Sequence, residues 1–558
     1  MKRLPIGISD YKKVVEEDFS YVDKTLFIEE IVNLGAEVVL IPRPRRFGKT
    51  MNLSMLSYFF EKTDKDHSYL FQNFHIWKTE TRKLQGKFPV IFLTLKGIKK
   101  GSWEAAYKGM QTLIAKEFER HDYLLKSEKI SQKEKNQFQS IINEVQNQQG
   151  LFEISLQLLM SLLKKHHNEP VIVLIDEYDT PIHDAYLCGY YDPMIAFMRN
   201  WFTEGLKDST FLKKAVLTGI LRVSKESIFS GLNNPGCYTV LDEEFSDKFG
   251  LLEEEVSNLL QEHNISHQIQ EIRKWYNGYH IGQSFLYNPW SILQCIQKKG
   301  QLRSYWVNTS DNSLIKKLLI KGNTLFKQDV ELLLQGKTIT KPISEEVSFK
   351  NLEQQVDAVW GLFLFSGYLT LEAAPTYKSG SLQCELKIPN QEISDLYRFI
   401  VTEWMTASAP NNNLPLLLNS LVNGEIQLFS ELLQTLILNT MSYYDIPQNE
   451  PEKVYHAFVL GLLVNLENYE VKSNRESGFG RYDVCLIPKD PSALGIIMEF
   501  KKAKEEEDLK SAADDALNQI KKEKYVQELI SRNIKQILTL GLAFKGKQVF
   551  IKENSVSF

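Results

Sequence analysis

The sequence predicts an α/β protein whose N-terminal part is a parallel sheet covered by helices on both faces. Three features carry that expectation. Apolar runs rich in β-branched residues recur at Glu37–Ile41, Phe88–Leu95, Pro170–Asp176, Lys213–Thr218 and Cys237–Leu241. Amphipathic stretches separate them, among them Met51–Phe60, Trp103–Phe118, Leu151–Lys165 and Pro193–Leu206. A strand that returns parallel to its neighbour needs a long crossover, usually a helix, so this alternation reads as a parallel sheet. Finally, two of the strands end in residues of complementary chemistry: Glu37–Ile41 runs into Arg43–Thr50, and Pro170–Asp176 is followed by Glu177.

At 558 residues the chain exceeds what one core can organise, and roughly two to four domains are expected. With 43% hydrophobic and 24% charged residues, the composition is that of an ordinary globular protein. A net charge of -4 excludes a global basic field, so any nucleic-acid contact must come from local patches. Cys188, Cys237, Cys295, Cys384 and Cys485 lie far apart with no CxxC spacing, which argues for a reducing compartment and against a zinc site or disulfide framework. Met1–Pro5 opens no signal-peptide apolar core, and no apolar run is long enough to span a bilayer. The expected place is the cytoplasm, off the membrane, with secretion by a route lacking such a signal left open.

Residues 1–245 form the first expected domain. Within it, Lys126–Gln149 reads as a polar helical insert, a solvated lever or a projecting hairpin. Residues 246–408 read as a mostly helical middle module, interrupted by the aromatic turns Trp275–Tyr279 and Tyr287–Trp290, which are read as packing rather than base-stacking platforms. Val359–Thr370 and Leu386–Pro389 suggest a small helix-plus-hairpin. The breaker-rich run Ala409–Pro415 marks a boundary. Residues 416–558 read as helices, then two strands and a helix, then a final strand pair.

The run Arg43–Thr50 nearly fits the Walker A pattern Gly-x-x-x-x-Gly-Lys-[Ser/Thr]. In that loop backbone N–H groups wrap the phosphates, lysine reaches the β/γ oxygens and the hydroxyl holds magnesium. Gly48, Lys49 and Thr50 fill the last three places, while Arg43 stands where the first glycine would be. Pro42 and Pro44 stiffen the loop and remove donors. Arg43, Arg45 and Arg46 are expected to compensate with direct guanidinium–phosphate contacts. Asp176 would enter the magnesium shell and Glu177 would orient water, the two roles of a Walker B strand end. A chance Gly-Lys-Thr in a basic turn is the competing reading. The strand before, the helix after and the second carboxylate-bearing strand outweigh it.

These residues resemble the bacterial and archaeal AAA-ATPase-like family of P-loop proteins. The resemblance rests on Tyr21–Thr25, Arg43–Thr50, Leu174–Pro181, Leu217–Ile220 and the Trp275–Tyr279 turn, and covers about the first half of the chain. It implies that the missing first glycine is a family feature. It also places Thr218 where such ATPases carry a polar γ-phosphate sensor. Arg222 would lie within reach of the same phosphate, although a surface salt bridge is the favoured reading for it.

A second constellation lies near the C-terminus. Gly480–Ile487 and Gly495–Lys501 have β character, and the Pro488–Ala493 segment between them is a turn signal. Folding this hairpin about Pro491 sets Asp483 opposite Glu499, with Lys501 on the same face as Glu499. Two carboxylates and an ammonium converging in this way suit phosphodiester hydrolysis. Asp483 and Glu499 would bind magnesium, with the Phe500 carbonyl as an extra ligand, and Lys501 would position water and stabilise charge. The order Asp…Glu-x-Lys resembles the PD-(D/E)XK nuclease superfamily, whose fold is restriction-endonuclease-like. That resemblance implies a supporting role for Gln519, with Tyr525 near it, and for Glu452, just before the helix Val454–Leu466, as the acidic residue of the first helix. Tyr482 stands where the superfamily name has proline. The competing reading is an edge hairpin with cross-strand ion pairs. The basic residues Lys502, Lys504, Lys521, Lys522 and Lys524 read as solvated faces rather than a groove, His456 as packing, and Asn308–Ser310 as an idle glycosylation match.

The expectation is therefore an ATP- and magnesium-binding P-loop ATPase fused to a magnesium-dependent nuclease, with nucleotide state gating cleavage of DNA, RNA left open, and an oligomer left open. The pairing would suit genome defence or mobile-element biology, as the resemblance implies. The alternative is a non-catalytic ATP-dependent switch whose C-terminal domain only holds nucleic acid or a partner protein.

Overall fold

The computed structural model describes residues 2–144, 149–223, 228, 235–306, 318, 324–345, 356–378, 380–407, 414–440, 455, 458–460, 462–463, 466, 468–477, 480–503, 507–523 and 525–557. The chain divides into two compact units, residues 1–314 with 340–393, and residues 315–339 with 394–558.

In the first unit, β1 (Val38–Pro42), β2 (Val90–Thr94), β3 (Val171–Asp176), β4 (Leu212–Gly219) and β5 (Gly236–Cys237) form a sheet in the order β2-β3-β4-β1-β5. Every pairing is parallel. The strands were expected to be near-continuous apolar runs, and β1 and β3 are buried at every position, as a sheet covered on both faces requires. The order has a chemical consequence. β4 lies between β1 and β3, so its end stands between the phosphate loop that follows β1 and the carboxylates that end β3. Register makes this concrete: Ile41 pairs with Thr218, and Thr94 pairs with Asp176. Open parallel sheets bind ligands beyond the carboxyl ends of their strands, and all these residues lie there.

The insert expected to project instead packs on the body. Helix Gln132–Ile142 begins with a capping box at Ser131 and Glu134, and buries Phe138 and Ile141. Phe138 lies 4.9 Å from Phe118, ring centre to ring centre. Residues 145–148 of that insert lie outside the described residues.

Helices Glu253–Glu262, Ile269–Tyr276, Pro289–Gln297 and Val356–Ser366 follow, with short strands among them. A hairpin joins β6 (Tyr279–Ile281) to β7 (Ser284–Leu286). A small sheet contains β8 (Ile339–Ile343), β9 (Thr370–Leu371), β10 (Thr376–Lys378) and β11 (Ser381–Lys387). The aromatic turns are packing elements: Tyr276, Tyr279 and Tyr287 are buried.

In the second unit, β12 (Tyr469–Ser477), β13 (Gly480–Pro488), β14 (Gly495–Lys502), β15 (Gln536–Lys545) and β16 (Gln548–Ser557) form a sheet in chain order. Only β14 and β15 are parallel, joined by a crossover containing helix Leu509–Lys522. Three strands precede that helix, not two as the sequence suggested. β12 escaped notice because it is a polar edge strand without clean alternation. One sheet face packs on helices Leu414–Val422 and Ile426–Thr440, through Val484, Met498, Leu540 and Phe429. The other packs Cys485 and Ile497 against Ile520 of the crossover helix. Among the described residues no helix is long and apolar enough to cross a membrane. The boundary residues 409–413, Glu452, His456, Asn308–Ser310, Lys504 and Lys524 lie outside the described residues.

Candidate functional site

Helix Lys49–Phe60 starts at Gly48, whose φ of 86° is a left-handed turn that glycine takes without strain. The helix N-terminus and the loop before it form the anion-seeking end of β1. Lys49 is buried. Its Nζ donates to the carbonyls of Arg43 (3.1 Å) and Pro44 (3.2 Å) and lies 3.4 Å from Glu177 Oε1. Thr50 Oγ1 donates to Asp176 Oδ2 at 2.7 Å, and Thr218 Oγ1 donates to Asp176 Oδ1 at 2.8 Å. Thr94 Oγ1 stands 3.4 Å from Asp176 Oδ2, at a third strand end that the sequence reading did not single out. The available signal was a polar residue at or next to the end of each of three apolar strands, Thr94, Asp176 and Thr218.

Two carboxylates side by side have different environments. Asp176 is fully buried; that burial, and then the negative charge of Glu177, push its carboxyl above the usual range. Burial also raises Glu177, but Lys49 and then Arg45 outweigh it and hold Glu177 below the usual range. Glu177 has φ of 54°, a strained conformation for a residue with a Cβ, at the sharp turn after β3 where its carboxylate meets Lys49.

The three loop arginines divide. Arg43 does not serve as a direct phosphate ligand. It is fully buried, and its guanidinium donates to the carbonyls of Pro42 (2.9 Å), Tyr238 (2.7 Å), Thr239 (2.9 Å), Glu244 (3.2 Å) and Phe245 (3.5 Å). Burial lowers its pKa to about 10. Its backbone N–H extends the sheet by donating to Gly219 O at 3.0 Å. Arg43 thus glues the loop to the segment after β5. Arg45 contributes positive field at Glu177, and Arg46 is exposed, its guanidinium 4.5 Å from the ring centre of Trp290. Arg222 pairs with Glu345 at 3.2 Å, in keeping with the salt-bridge reading.

Two further groups emerge only from the fold. Asp179 is buried, and its Oδ2 accepts from the backbone N–H of Ile220 (2.8 Å) and Leu221 (3.0 Å). Burial, then the charge of Glu177, raise it to about 6. A Cβ on Gly219 would meet Asp179 Oδ1 at 2.5 Å, so this approach requires glycine. The Tyr178 hydroxyl donates to Leu221 O (2.5 Å) and accepts from Val223 N (3.0 Å). The segment after β3 therefore clasps the segment after β4. In the Tyr21–Thr25 run, Lys24 pairs with Glu255 at 2.5 Å and Asp23 Oδ1 accepts from Thr25, contacts that make the run a tie between segments.

In the second unit, β13 and β14 pair with Val484 opposite Met498, which sets Asp483 beside Glu499 at the next step. Phe500 N donates to Asp483 Oδ2 at 2.8 Å, and Asp483 N donates to Glu499 Oε2 at 3.3 Å. Each carboxylate thus takes an N–H from the other's strand. Glu499 is 2% exposed, and Gln519 Nε2 donates to its Oε1, with Tyr525 Oη 3.4 Å from the same nitrogen. Lys501 lies two residues on and is partly exposed, and no described residue pairs with its ammonium. Tyr482, in the proline position, is buried and donates to Glu528 Oε2 at 2.8 Å. Among the described residues no group of three or more His, Cys, Asp or Glu side chains is placed to hold a metal. Two carboxylates suffice for magnesium, which keeps several waters and needs one or two carboxylates beside substrate phosphate.

Residues 5–229 match the family model of the AAA-ATPase-like proteins, described as a predicted AAA-ATPase, and residues 450–554 match the model of the PD-(D/E)XK nuclease superfamily. The chain is also similar to a protein of Azotobacter chroococcum mcd 1, described as an uncharacterized protein in the vnfD 5' region. The two are 28% identical over 412 residues, covering 70% of this chain and 68% of that protein. With the phosphate loop on its parallel sheet and the Asp-Glu-Lys hairpin on its mixed one, the chain carries an AAA-ATPase-like domain and a C-terminal domain of the PD-(D/E)XK nuclease superfamily.

Proposed function

We propose that this protein binds and hydrolyses ATP with magnesium and uses nucleotide state to gate a magnesium-dependent nuclease acting on DNA in the cytoplasm. The observation that carries the first half is Asp176, held between Thr50 and Thr218 while Lys49 and Glu177 pair alongside. Thr50 and Asp176 offer the hydroxyl and carboxylate oxygens that magnesium takes in such sites. Lys49, whose hydrogen bonds go to loop carbonyls, would exchange these for phosphate oxygens. Glu177, kept anionic, would accept the proton of the water that attacks the γ-phosphorus. The P–O bond to ADP then breaks, and ADP and phosphate leave. Thr218 would keep Asp176 fixed through the change.

At the second site Asp483 and Glu499 would hold magnesium, with the Phe500 carbonyl near them. The ion supplies charge neutralisation on the phosphodiester and activates water. Lys501 would stabilise the charge that builds on the phosphorus oxygens, and Gln519 orients Glu499. The pair of carboxylates locked by reciprocal backbone hydrogen bonds supports this reading. The coupling between ATP and cleavage would pass through the middle module, residues 246–408. A second reading, an ATP-dependent switch without cleavage, draws support from the small donor set at Glu499, one of whose oxygens is already taken by Gln519.

The test is an assay of the purified chain for ATP hydrolysis, and for cleavage of single- and double-stranded DNA and RNA, with and without ATP and magnesium. Lys49→Ala should abolish hydrolysis and Lys501→Ala should abolish cleavage. Cutting by Lys501→Ala at the wild-type rate would remove the nuclease assignment.

A further inference from the structure

The phosphate loop reverses one of its peptides, and two side chains from far along the chain hold the reversal. The carbonyls of Arg43 and Pro44 both accept from Lys49 Nζ and so face the lysine head. The next carbonyl, of Arg45, does not join them. It accepts from Trp306 Nε1 at 3.1 Å and lies 3.4 Å from Asn288 Nδ2. Among the described residues no peptide is cis, and in a trans peptide C=O and N–H point in opposite directions. With Arg45 O drawn toward Trp306 and Asn288, the N–H of Arg46 points away from them. This reversal coincides with φ of 67° at Arg46, a left-handed conformation that an arginine adopts under strain.

We infer that Trp306 and Asn288 are positioning residues of the phosphate loop, holding the Arg45–Arg46 peptide so that the Arg46 N–H serves as a phosphate donor. This rests on the nucleotide-binding reading above. The loop needs such a donor because Pro42 and Pro44 have no N–H, and because the usual first glycine is Arg43.

The tether is itself fixed. Asn288 caps helix Pro289–Gln297, its Oδ1 accepting from Trp290 N (3.0 Å) and Ser291 N (3.3 Å), which leaves its amide nitrogen for Arg45. Trp306 N donates to Glu392 Oε1 at 2.7 Å, and Glu392, fully buried, also accepts from Ser291 Oγ at 2.7 Å. One buried carboxylate therefore holds the Trp306 backbone and the first turn of the helix that Asn288 caps. All these residues belong to one compact unit.

The experiment is a mutant cycle on the full chain, read as the affinity for magnesium-ATP by calorimetry and as KM for hydrolysis. Trp306→Phe removes the indole donor, and Asn288→Ser keeps a helix cap while removing the amide. Trp306→Phe should weaken ATP about tenfold, the scale of a lost hydrogen bond to a charged group, and Asn288→Ser should weaken it less. Arg46→Gly supplies the second arm. Glycine takes positive φ about as readily as negative, so about half the molecules would keep the reversed peptide without a tether. In the Arg46→Gly background the effect of Trp306→Phe should shrink to within about twofold. A purely packing role for Trp306 would leave its effect undiminished in that background, and that result would overturn the inference. ATP binding at wild-type strength in both Trp306→Phe and Asn288→Ser would overturn it too. Should Trp306→Phe not fold, the same cycle with Asn288→Ser decides. A wild-type chain that fails to bind ATP would instead remove the nucleotide reading itself.

Discussion

Thr218 Oγ1 donates to Asp176 Oδ1 at 2.8 Å, a bond that joins the ends of two neighbouring parallel strands inside a fully buried layer. The other oxygen of Asp176 is taken by Thr50. Thr218→Val keeps the β-branched shape and deletes the donor, leaving a buried carboxylate oxygen short of one partner. The cost should be about 1–3 kcal/mol of stability. In kinetics, kcat for ATP hydrolysis should fall at least tenfold while KM moves little, because Thr218 acts on Asp176 rather than on the loop. Thr218→Ser, which retains the hydroxyl, should recover most of the rate. Steady-state phosphate release and thermal melts check both statements.

Lys49 and Glu177 should separate binding from chemistry. Lys49 is held by two carbonyls and by Glu177, all of which a phosphate would replace. Lys49→Ala should therefore lose ATP affinity outright. Glu177→Gln is isosteric and removes the anionic competitor for the lysine along with the base. It should bind ATP at least as well as the wild type, yet hydrolyse it about a hundredfold or more slowly, the scale of a lost general base. Calorimetric titration with magnesium-ATP beside a single-turnover assay distinguishes the two variants. Equal hydrolysis by Glu177→Gln and the wild type would assign the base elsewhere.

What the sequence made legible was local and periodic. β1, β3 and β4 were readable because their apolar runs match a strand buried on both faces; Asp176 and Thr218 were readable because each closes such a run, and Lys49 and Thr50 because they open a helix directly after Gly48 in a loop that follows one. Arg43 was misread since its residue type suggests a phosphate ligand. Its true partners, the carbonyls of Tyr238 and Thr239, are 195 and 196 residues away, a pairing no local pattern announces. The same holds for Trp306, which reaches Arg45 across 261 residues. The insert was read as projecting because most of Gln132–Ile142 is polar; only Phe138 and Ile141, three apart, signalled the buried stripe. The β13–β14 hairpin was legible because the turn at Pro491 fixes the register, and register fixes which residues face each other.

Asp179 makes stability depend on pH in a definite direction. Its folded carboxyl titrates near 6, above the usual value for an unfolded aspartate. A carboxyl raised on folding gives stability that is complete below the unfolded value and is lost as pH rises through the folded one, here between about pH 4 and 6. Asp179→Asn retains an oxygen for the Ile220 and Leu221 N–H groups and cannot ionise. The difference in melting temperature, variant minus wild type, should grow by a few degrees from pH 4 to pH 7 and stay level above that. Melts of both proteins in matched buffers measure it, and a difference that does not change across the window would refute the buried ionisation. Because the same carboxyl secures the segment after Thr218, the variant should also keep its KM for ATP within about threefold.

Lys501 and Asp483 should behave differently toward magnesium even if both are needed for cleavage. Asp483 Oδ2 accepts from Phe500 N, and Glu499 accepts from Gln519 at Oε1 and from Asp483 N at Oε2, hydrogen bonds that hold both carboxylates in place. Asp483→Asn should lose both the magnesium isotherm of the C-terminal site and cleavage. Lys501 carries a positive charge beside that site and ligates nothing. Lys501→Ala should lose cleavage about a hundredfold or more while binding magnesium as well as, or better than, the wild type, since a nearby like charge is gone. To keep the phosphate-loop site from contributing, the magnesium titrations of both variants are made on the Lys49→Ala, Asp176→Asn background, and cleavage is measured on the otherwise wild-type chain with ATP present. Gln519→Ala should fall between them, weakening cleavage about tenfold with a shift in the magnesium midpoint, because it orients Glu499 without touching substrate. Loss of magnesium binding in Lys501→Ala would mean that the lysine holds the hairpin together, and its assignment to the reaction would fall with that result.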